Sequence, residues 1–231
     1  MRIDCHLHTS RYSACSRLDP DTACRMALKR GLDAVVITEH QRQWPTSETA
    51  ELRRRFPGLA LFNGFEATLE NGVDVVVITP EQGIRIPFGL SAEKFFASER
   101  FDLESSYLFI AHLFRWSAEP PYGLEEIIPF VHGLEMNSIN ILRGQYQIKK
   151  SRYVPKARAS YQRTRDRLGL QELFNTDAHE AAAVGSLANE IQSSRPPASE
   201  AELVSLLKRS SPQEYQDPDL LEDLLTFSSP L

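Results

Sequence analysis

The sequence predicts an α/β fold with a mostly parallel sheet, and three observations carry that expectation. Short β-branched or apolar runs alternate with helical stretches along the chain, the pattern of strand–helix–strand units. Several helical stretches carry start and stop residues, such as Pro20 before and Gly31 after the first. With 231 residues, 42% of them hydrophobic, there is enough apolar material for one sizeable core in a single domain.

In chain order, Arg2–His6 reads as a strand and Asp21–Arg30 as a helix. Asp33–Thr38 follows as a strand, fully buried by its β-branched content, and Ser47–Arg55 as a helix. Leu59–Phe65 and Val73–Thr79 are strands, Ala92–Arg100 a helix, Ser106–Ala111 a strand and Leu124–Phe130 a helix. Gly133–Asn137 and Glu172–Thr176 complete the strands, with helices over Pro155–Arg167 and Glu200–Arg209. About seven strands leave two architectures, an open doubly wound sheet and a closed barrel. Residues 1–209 form the predicted domain, with neither a repeat nor a low-complexity segment. Residues 210–231 read as an acidic, Pro- and Ser-bearing tail with one short docking helix, Pro218–Thr226, peripheral to the chemistry.

Charge and composition exclude several classes. The formal net charge is −5, from 26 basic and 31 acidic residues, so no basic excess marks a nucleic-acid partner. One basic stretch runs from Lys149 to Arg167 through Lys150, Arg152, Lys156, Arg158, Arg163 and Arg165, and reads as a solvated helix face. The opening MRIDCHLHTS is too polar for a signal peptide, and no apolar run approaches a membrane span, so a soluble cytoplasmic protein is expected. Cys5, Cys15 and Cys24 lack CxxC spacing and read as reduced thiols.

Histidine placement is the informative feature. Of six histidines, His6, His8, His40, His112 and His179 all sit at or just beyond the C-terminal end of a predicted strand. Active sites of α/β barrels are assembled at that end from several strands. His6 and His8 are two apart in a strand and point to one face, where Asp4 is placed to orient an imidazole. Asp177 and His179 repeat the spacing. Glu66 follows Gly64, which would let the backbone approach a neighbour closely, and a carboxylate there can bridge two divalent ions. Imidazoles and carboxylates without thiolates suit zinc, manganese or iron, and the number of ligands exceeds one tetrahedral site, so two metals are implied. Paired metals lower the pKa of a bridging water and clamp the oxygens of a displacement at phosphorus.

The motifs carrying these residues resemble those of the PHP (polymerase and histidinol phosphatase) family. Asp4-Cys5-His6-Leu7-His8-Thr9 is similar to its opening DxHxHT, and Gly31 to His40 to its GLDxxxITxH. Gly64-Phe65-Glu66, Ala111-His112-Leu113-Phe114-Arg115, Gly133-Leu134-Glu135-Met136-Asn137 and Thr176-Asp177-Ala178-His179 match further motifs in family order. The resemblance implies a distorted (β/α)7 TIM-like barrel and a two- or three-metal site at the strand C-termini. It implies His6, His8, His40, Glu66, His112, Asp177 and His179 as metal ligands and Arg115 as a phosphate-binding residue; Asn137 and Arg17 are weaker substrate-binding candidates.

Three departures qualify it. Where the family often has a His or Asp ligand, only Cys15 could serve; Glu39 stands where Asp is usual; and the strand Val73–Thr79 has no histidine at its end. Two firm metal positions are therefore expected, with the third weak or absent. His132 and Cys5 read as structural, while Trp44 and Trp116 wall the pocket or cover the barrel rim. The expected activity is hydrolysis of a phosphate ester by a metal-bridging hydroxide, at a site including Asp177, with His179 or His112 as the acid to the leaving group. A small phosphorylated metabolite or nucleotide is the favoured substrate. The rivals are an exonuclease using the basic stretch and a non-catalytic module that keeps metal for stability.

Overall fold

Nine strands form one sheet in the order β11-β10-β1-β2-β3-β4-β5-β6-β9, and it curls into a nearly closed barrel. The computed structural model describes residues 1–149 and 152–226, so Lys150 of the basic stretch lies outside the described residues. The strands nearest the site are β1 (Arg2–Leu7), β2 (Ala34–His40), β3 (Ala60–Thr68), β4 (Asp74–Ile78), β5 (Tyr107–Ile110) and β6 (Gly133–Asn137). A separate hairpin, β7 (Tyr146–Lys149) with β8 (Arg152–Pro155), precedes β9 (Gln171–Phe174), β10 (Leu187–Glu190) and β11 (Gln213–Gln216). The helices are α1 (Pro20–Lys29), α2 (Thr46–Arg55), α3 (Ala92–Phe96), α4 (Ile139–Gln145), α5 (Arg158–Leu168), α6 (Glu200–Arg209) and α7 (Pro218–Thr226).

The barrel departs from an all-parallel array in a way that matters for the site. Strand β4 runs antiparallel to both β3 and β5, so its first residue, Asp74, lies at the end where its neighbours finish. That antiparallel approach needs Gly64, where a Cβ would stand 2.8 Å from the Val77 carbonyl oxygen. Strands β1, β2 and β3 are parallel, as are β5, β6 and β9. The seam between β1 and β9 is closed at the site end by the chain beyond β9: Asp177 N–H donates to the His6 carbonyl at 2.9 Å and His8 N–H to the Ala178 carbonyl at 3.0 Å. Further down, β10 pairs antiparallel with Arg2 and Ile3 of β1.

Helix α1 begins where Asp19 accepts from Thr22 N–H at 2.9 Å, with Pro20 in its first turn. It buries Ala23, Cys24 and Ala27 against Val35, Ile37 and Leu61. Helix α6 closes the opposite end of the barrel from the site, packing Leu203 and Leu207 on Ile3, Ala34, Ile78 and Tyr107. A bulge in β1 between Asp4 and Leu7 breaks the simple alternation. It lets Cys5 join the apolar layer of Val36, Phe62 and Phe109, while His6 turns to the site.

Several expected elements differ. Ala92–Arg100 ends as a helix at Phe96. The stretch Leu124–Phe130 forms two 3-10 turns, because Pro129 lacks an N–H for a continuous ladder. The helix placed over Pro155–Arg167 begins only at Arg158, Pro155 being the last residue of β8. The segment read as a peripheral tail supplies β11, which pairs with β10, and α7, which buries Leu221, Leu224 and Leu225 in the core.

Candidate metal centre

Five strands of the barrel deliver site residues at the same rim. His6 and His8 leave β1, His40 ends β2, Glu66 lies on β3, His112 follows β5, and Asp177 with His179 follows β9. Two of these positions hold backbone that L-residues rarely adopt: His112 has φ 29° and Asp177 has φ 51°, with Gln41 at 62° just past His40. Such strain persists where the surrounding structure holds it, and here it collects at one rim.

The side-chain atoms converge tightly. His6 Nε2 and His8 Nε2 are 3.0 Å apart. Asp177 Oδ1 is 3.4 Å from the first and 3.3 Å from the second, and Glu66 oxygens lie 3.3 Å from each. Donors about 2.0–2.2 Å from a shared ion stand roughly 2.8–3.6 Å from one another, so this spacing fits one cation. Glu66 also spans outward: Oε1 is 3.2 Å from His112 Nε2 and Oε2 is 2.8 Å from His40 Nδ1. His8, His40 and His179 make a further cluster able to hold an ion. Asp177 Oδ1 is buried without a hydrogen-bond partner, as befits an oxygen whose partner is a cation.

Buried outer contacts aim the imidazoles. His6 Nδ1 faces Glu135 Oε1 at 3.0 Å, leaving Nε2 to face the cluster. Glu135 is fully buried and also accepts from His112 N–H at 3.0 Å and from Asn175 Nδ2 at 2.9 Å. His8 Nδ1 lies 3.3 Å from Ser13 Oγ, and that hydroxyl donates to Glu39. Glu39 further takes Thr9 N–H and the Trp44 indole N–H, so it braces the loop that orients His8 and points at no cluster. His179 Nδ1 donates to the Asp177 carbonyl at 3.0 Å.

Electrostatics follow from burying this many carboxylates together. Burial alone lowers His6 and His112, yet the neighbouring carboxylates prevail. Asp177, Glu135 and Glu66 hold His6 well above its ordinary value, and Glu66 with Asp177 raises His112 to about 9. Burial pushes His8 down to about 4. Against their own burial, the charge on His6 keeps Glu66 and Asp177 below the carboxylate range, with hydrogen bonds from His112 and His40 adding to it at Glu66.

The remaining sequence-picked residues divide. Arg115 sits beside the centre: its Nη2 donates to Asn140 Oδ1 at 3.2 Å, and Asn140 Nδ2 donates to Asp177. Asn137 is fully buried and spends its amide N–H on Glu214 at 2.7 Å. Arg17 has an exposed side chain and touches the site only through its backbone N–H to the His179 carbonyl. Cys15 Sγ lies 3.2 Å from His40 Nε2. Trp44 is buried on Glu39 and lines a cleft with Ser10, Arg11 and Glu48, whereas Trp116 is 77% exposed. Asp4 orients no imidazole; it holds the backbone of His6 and Thr176, and burial raises it to about 7. His132 lies at the far end of the barrel, taking the Leu108 N–H at 3.2 Å and stacking on Tyr107. Burial lowers its pKa, in keeping with a structural role.

Three residues beside the clusters were not picked from sequence. Glu135 was legible as the middle of Gly133-Leu134-Glu135-Met136-Asn137, a lone carboxylate on a buried strand. Asp74, 3.8 Å from His112 Nδ1, escaped because β4 was read as parallel, which directs attention to Thr79 instead. Asn140 belongs to α4, a helix with no sequence signal strong enough to place it.

A family model described as PHP-associated (PHP_C) matches residues 159–212, from α5 past α6. PsfC from Pseudomonas syringae PB-5123 superposes with a TM-score of 0.67 at 19% identity, covering 98% of this chain and 96% of that one. A two-domain protein from Bacteroides vulgatus ATCC 8482, containing a predicted PHP-like metal-dependent phosphoesterase, gives a TM-score of 0.60 at 14% identity over 98% of this chain and 69% of the other. The chain shares the fold of these proteins. Another structure similar to this chain is the lesion-specific endonuclease PfuEndoQ from Pyrococcus furiosus, with a TM-score of 0.54 at 15% identity, over 94% of this chain and 59% of that one. No curated protein matches the sequence. Among the described residues, no helix is long and apolar enough to cross a membrane.

Proposed function

We propose that this PHP-type chain is a metal-dependent phosphoesterase with His6, His8, His40, Glu66, His112, Asp177 and His179 as its metal ligands. The observation carrying the reading is the mutual 3.0–3.4 Å spacing of His6 Nε2, His8 Nε2 and Asp177 Oδ1, the last being buried and without a partner. Glu66 reaches both sides of this group, which suits a bridge between two positions. The cluster His8, His40 and His179 is then where a further ion would sit. Zinc, manganese and iron all accept this donor set. When bound, such ions would acidify a water and draw charge from phosphoryl oxygens.

The chain's own residues do the rest. Arg115 is held by Asn140, itself tied to Asp177, so its guanidinium stands ready to grip nonbridging oxygens in two-pronged fashion. His179 keeps its Nδ1 proton on the Asp177 carbonyl, and His112 sits at the edge of a cleft of about 380 Å³. Whichever of these two imidazoles is left unligated can alternatively hand a proton to the leaving oxygen. All seven proposed ligands fall within residues 1–209.

A second reading, cleavage of a phosphodiester in an oligonucleotide, draws on Arg163 and Arg167. They line a neighbouring cleft of about 280 Å³ that shares Glu119 and Pro120 with the one beside His112. Other members of the basic stretch are spoken for: Arg152 pairs with Glu214, and Arg165 with Asp166 and Glu172.

The test is hydrolysis of aryl phosphate mono- and diesters after reconstitution with Zn²⁺, Mn²⁺ or Fe²⁺, with His8→Ala and a chelator as controls. Metal-dependent turnover lost in the variant is the expected result. Metal occupancy without turnover on any ester would replace the enzyme with a metal-stabilised module. Steep salt dependence of oligonucleotide binding would favour the second reading.

A further inference from the structure

The thiol of Cys15 stands beside the proposed metal centre, and the chemistry above does not use it. Its Sγ lies 3.2 Å from His40 Nε2. Cys15 is exposed, whereas Cys5 and Cys24 are buried in apolar layers.

The turn that carries Cys15 is built against the site on both flanks. Ser16 N–H donates to the Ser13 carbonyl at 2.9 Å, which closes the turn. On one side Ser13 Oγ accepts the His40 N–H at 3.2 Å and lies 3.3 Å from His8 Nδ1. On the other, Ser16 Oγ stands 3.0 and 3.2 Å from the His8 and His179 carbonyl oxygens. A side chain presented by a turn fixed in this way gives up little freedom when a ligand arrives.

The hydrogen bonds of the imidazoles decide which of their nitrogens are left for a cation. His8 Nε2 faces His6 Nε2 and Asp177 Oδ1, at 3.0 and 3.3 Å, and belongs to that inner group. His40 Nδ1, 2.8 Å from Glu66 Oε2, keeps its proton on the carboxylate and leaves Nε2 as the donor to metal. His179 Nδ1 is spent on the Asp177 carbonyl, which again leaves Nε2. The outer cluster of His8, His40 and His179 therefore keeps two imidazoles of its own. Two nitrogens hold an ion poorly, and a third protein ligand gives the three-plus-one arrangement of an open zinc site. Sulfur about 2.3 Å and nitrogen about 2.0 Å from one zinc stand roughly 3.5 Å apart at a tetrahedral angle, near the observed spacing of Cys15 and His40. Asp177 Oδ1, buried and without a hydrogen-bond partner, lies 3.6 Å from His179 Nδ1 and marks the same neighbourhood as arranged around positive charge.

We infer that Cys15 is a thiolate ligand of the outer ion, together with His40 and His179. The inference rests on the metal-binding reading of the same centre, and it adds a sulfur. The thiol releases its proton to solvent as the metal–sulfur bond forms. A sulfur donor makes this position favour zinc or cobalt over manganese, while the inner group, with the oxygens of Glu66 and Asp177, accepts either kind.

Cobalt reports the sulfur directly. Co²⁺ added to the metal-free protein is expected to give a thiolate-to-cobalt charge-transfer band in the near ultraviolet, beside visible ligand-field bands from all bound cobalt. Cys15→Ser should remove the charge-transfer band and keep the ligand-field bands of the inner ion. The replaced side chain is exposed, and circular dichroism checks that the fold is unchanged. Alkylation supplies a second reading on the unaltered chain. Iodoacetamide should label Cys15 ahead of the buried Cys5 and Cys24, as located by peptide mass, and zinc but not manganese should slow that labelling. Ligand-field bands without a charge-transfer band, a charge-transfer band that survives Cys15→Ser, or labelling that zinc does not slow would each overturn the assignment while leaving the inner metal group standing. Absence of every cobalt band would remove the metal centre itself, and the sulfur ligand with it.

Discussion

Replacing Glu135 by Gln tests whether the proposed ligands are aimed from outside the cluster. The carboxylate is fully buried and accepts three bonds, from His6 Nδ1, Asn175 Nδ2 and His112 N–H, at 3.0, 2.9 and 3.0 Å. An amide of the same shape can keep its oxygen toward His6 and Asn175, but its NH₂ then meets the His112 N–H donor to donor. The opposite orientation opposes two donors instead of one. One unsatisfied buried donor costs about 1–3 kcal/mol, so the metal-free protein should lose that much stability. Loss of an outer partner on a ligating histidine typically weakens metal by roughly 10–100-fold, or about 1.4–2.8 kcal/mol. Urea denaturation of the chelated protein reads the first quantity, and competition with a chromophoric zinc chelator reads the second. Unchanged zinc affinity in Glu135→Gln, whatever happens to stability, would refute the claim that Glu135 orients a ligand.

Other outcomes follow from the same geometry. Ser13→Ala removes the hydroxyl between Glu39 and His8 Nδ1, and zinc affinity should fall about tenfold with turnover following it. Metal affinity should climb with pH through about 9, because the raised His112, like the raised His6, must shed a proton to ligate; calorimetry in buffers of different ionisation enthalpy counts the protons released. In chelated protein the sign reverses. His112 is raised in the folded state, so its contribution is full below the unfolded value near 6.5 and is lost as pH rises through about 9, which pH-dependent denaturation will show. Gly64→Ala places a methyl 2.8 Å from the Val77 carbonyl and should cost about 1–3 kcal/mol in a denaturant melt, shifting Glu66 two residues on and weakening metal as well.

Much of this was legible along the chain. Polar residues that end β-branched runs, such as His40 after Ala34-Val35-Val36-Ile37-Thr38, announce a barrel rim. The two-residue spacings of His6 with His8 and Asp177 with His179 put ligating types where one ion can be reached. Gly64 was read as a site of close backbone approach, and the Val77 carbonyl is what approaches. Each of these signals is local, a matter of residue type and period, and local physics survives without coordinates.

Tertiary structure decided what depends on direction and distance. Strand β4 turns antiparallel because a short connection returns it beside β3, which exchanges Thr79 for Asp74 at the rim. The bulge in β1 sets which of its side chains meet the apolar layer, a phase that a period-two reading does not supply. Glu39 turned out to hold Thr9 and Ser13, and Glu135 to hold His6, because hydrogen-bond partners far apart in sequence are chosen only when the chain closes. Residue types and their spacing therefore sufficed to nominate the ligating groups, whereas the outer partners, the cleft and its exposed indole exist only once the sheet has curled on itself.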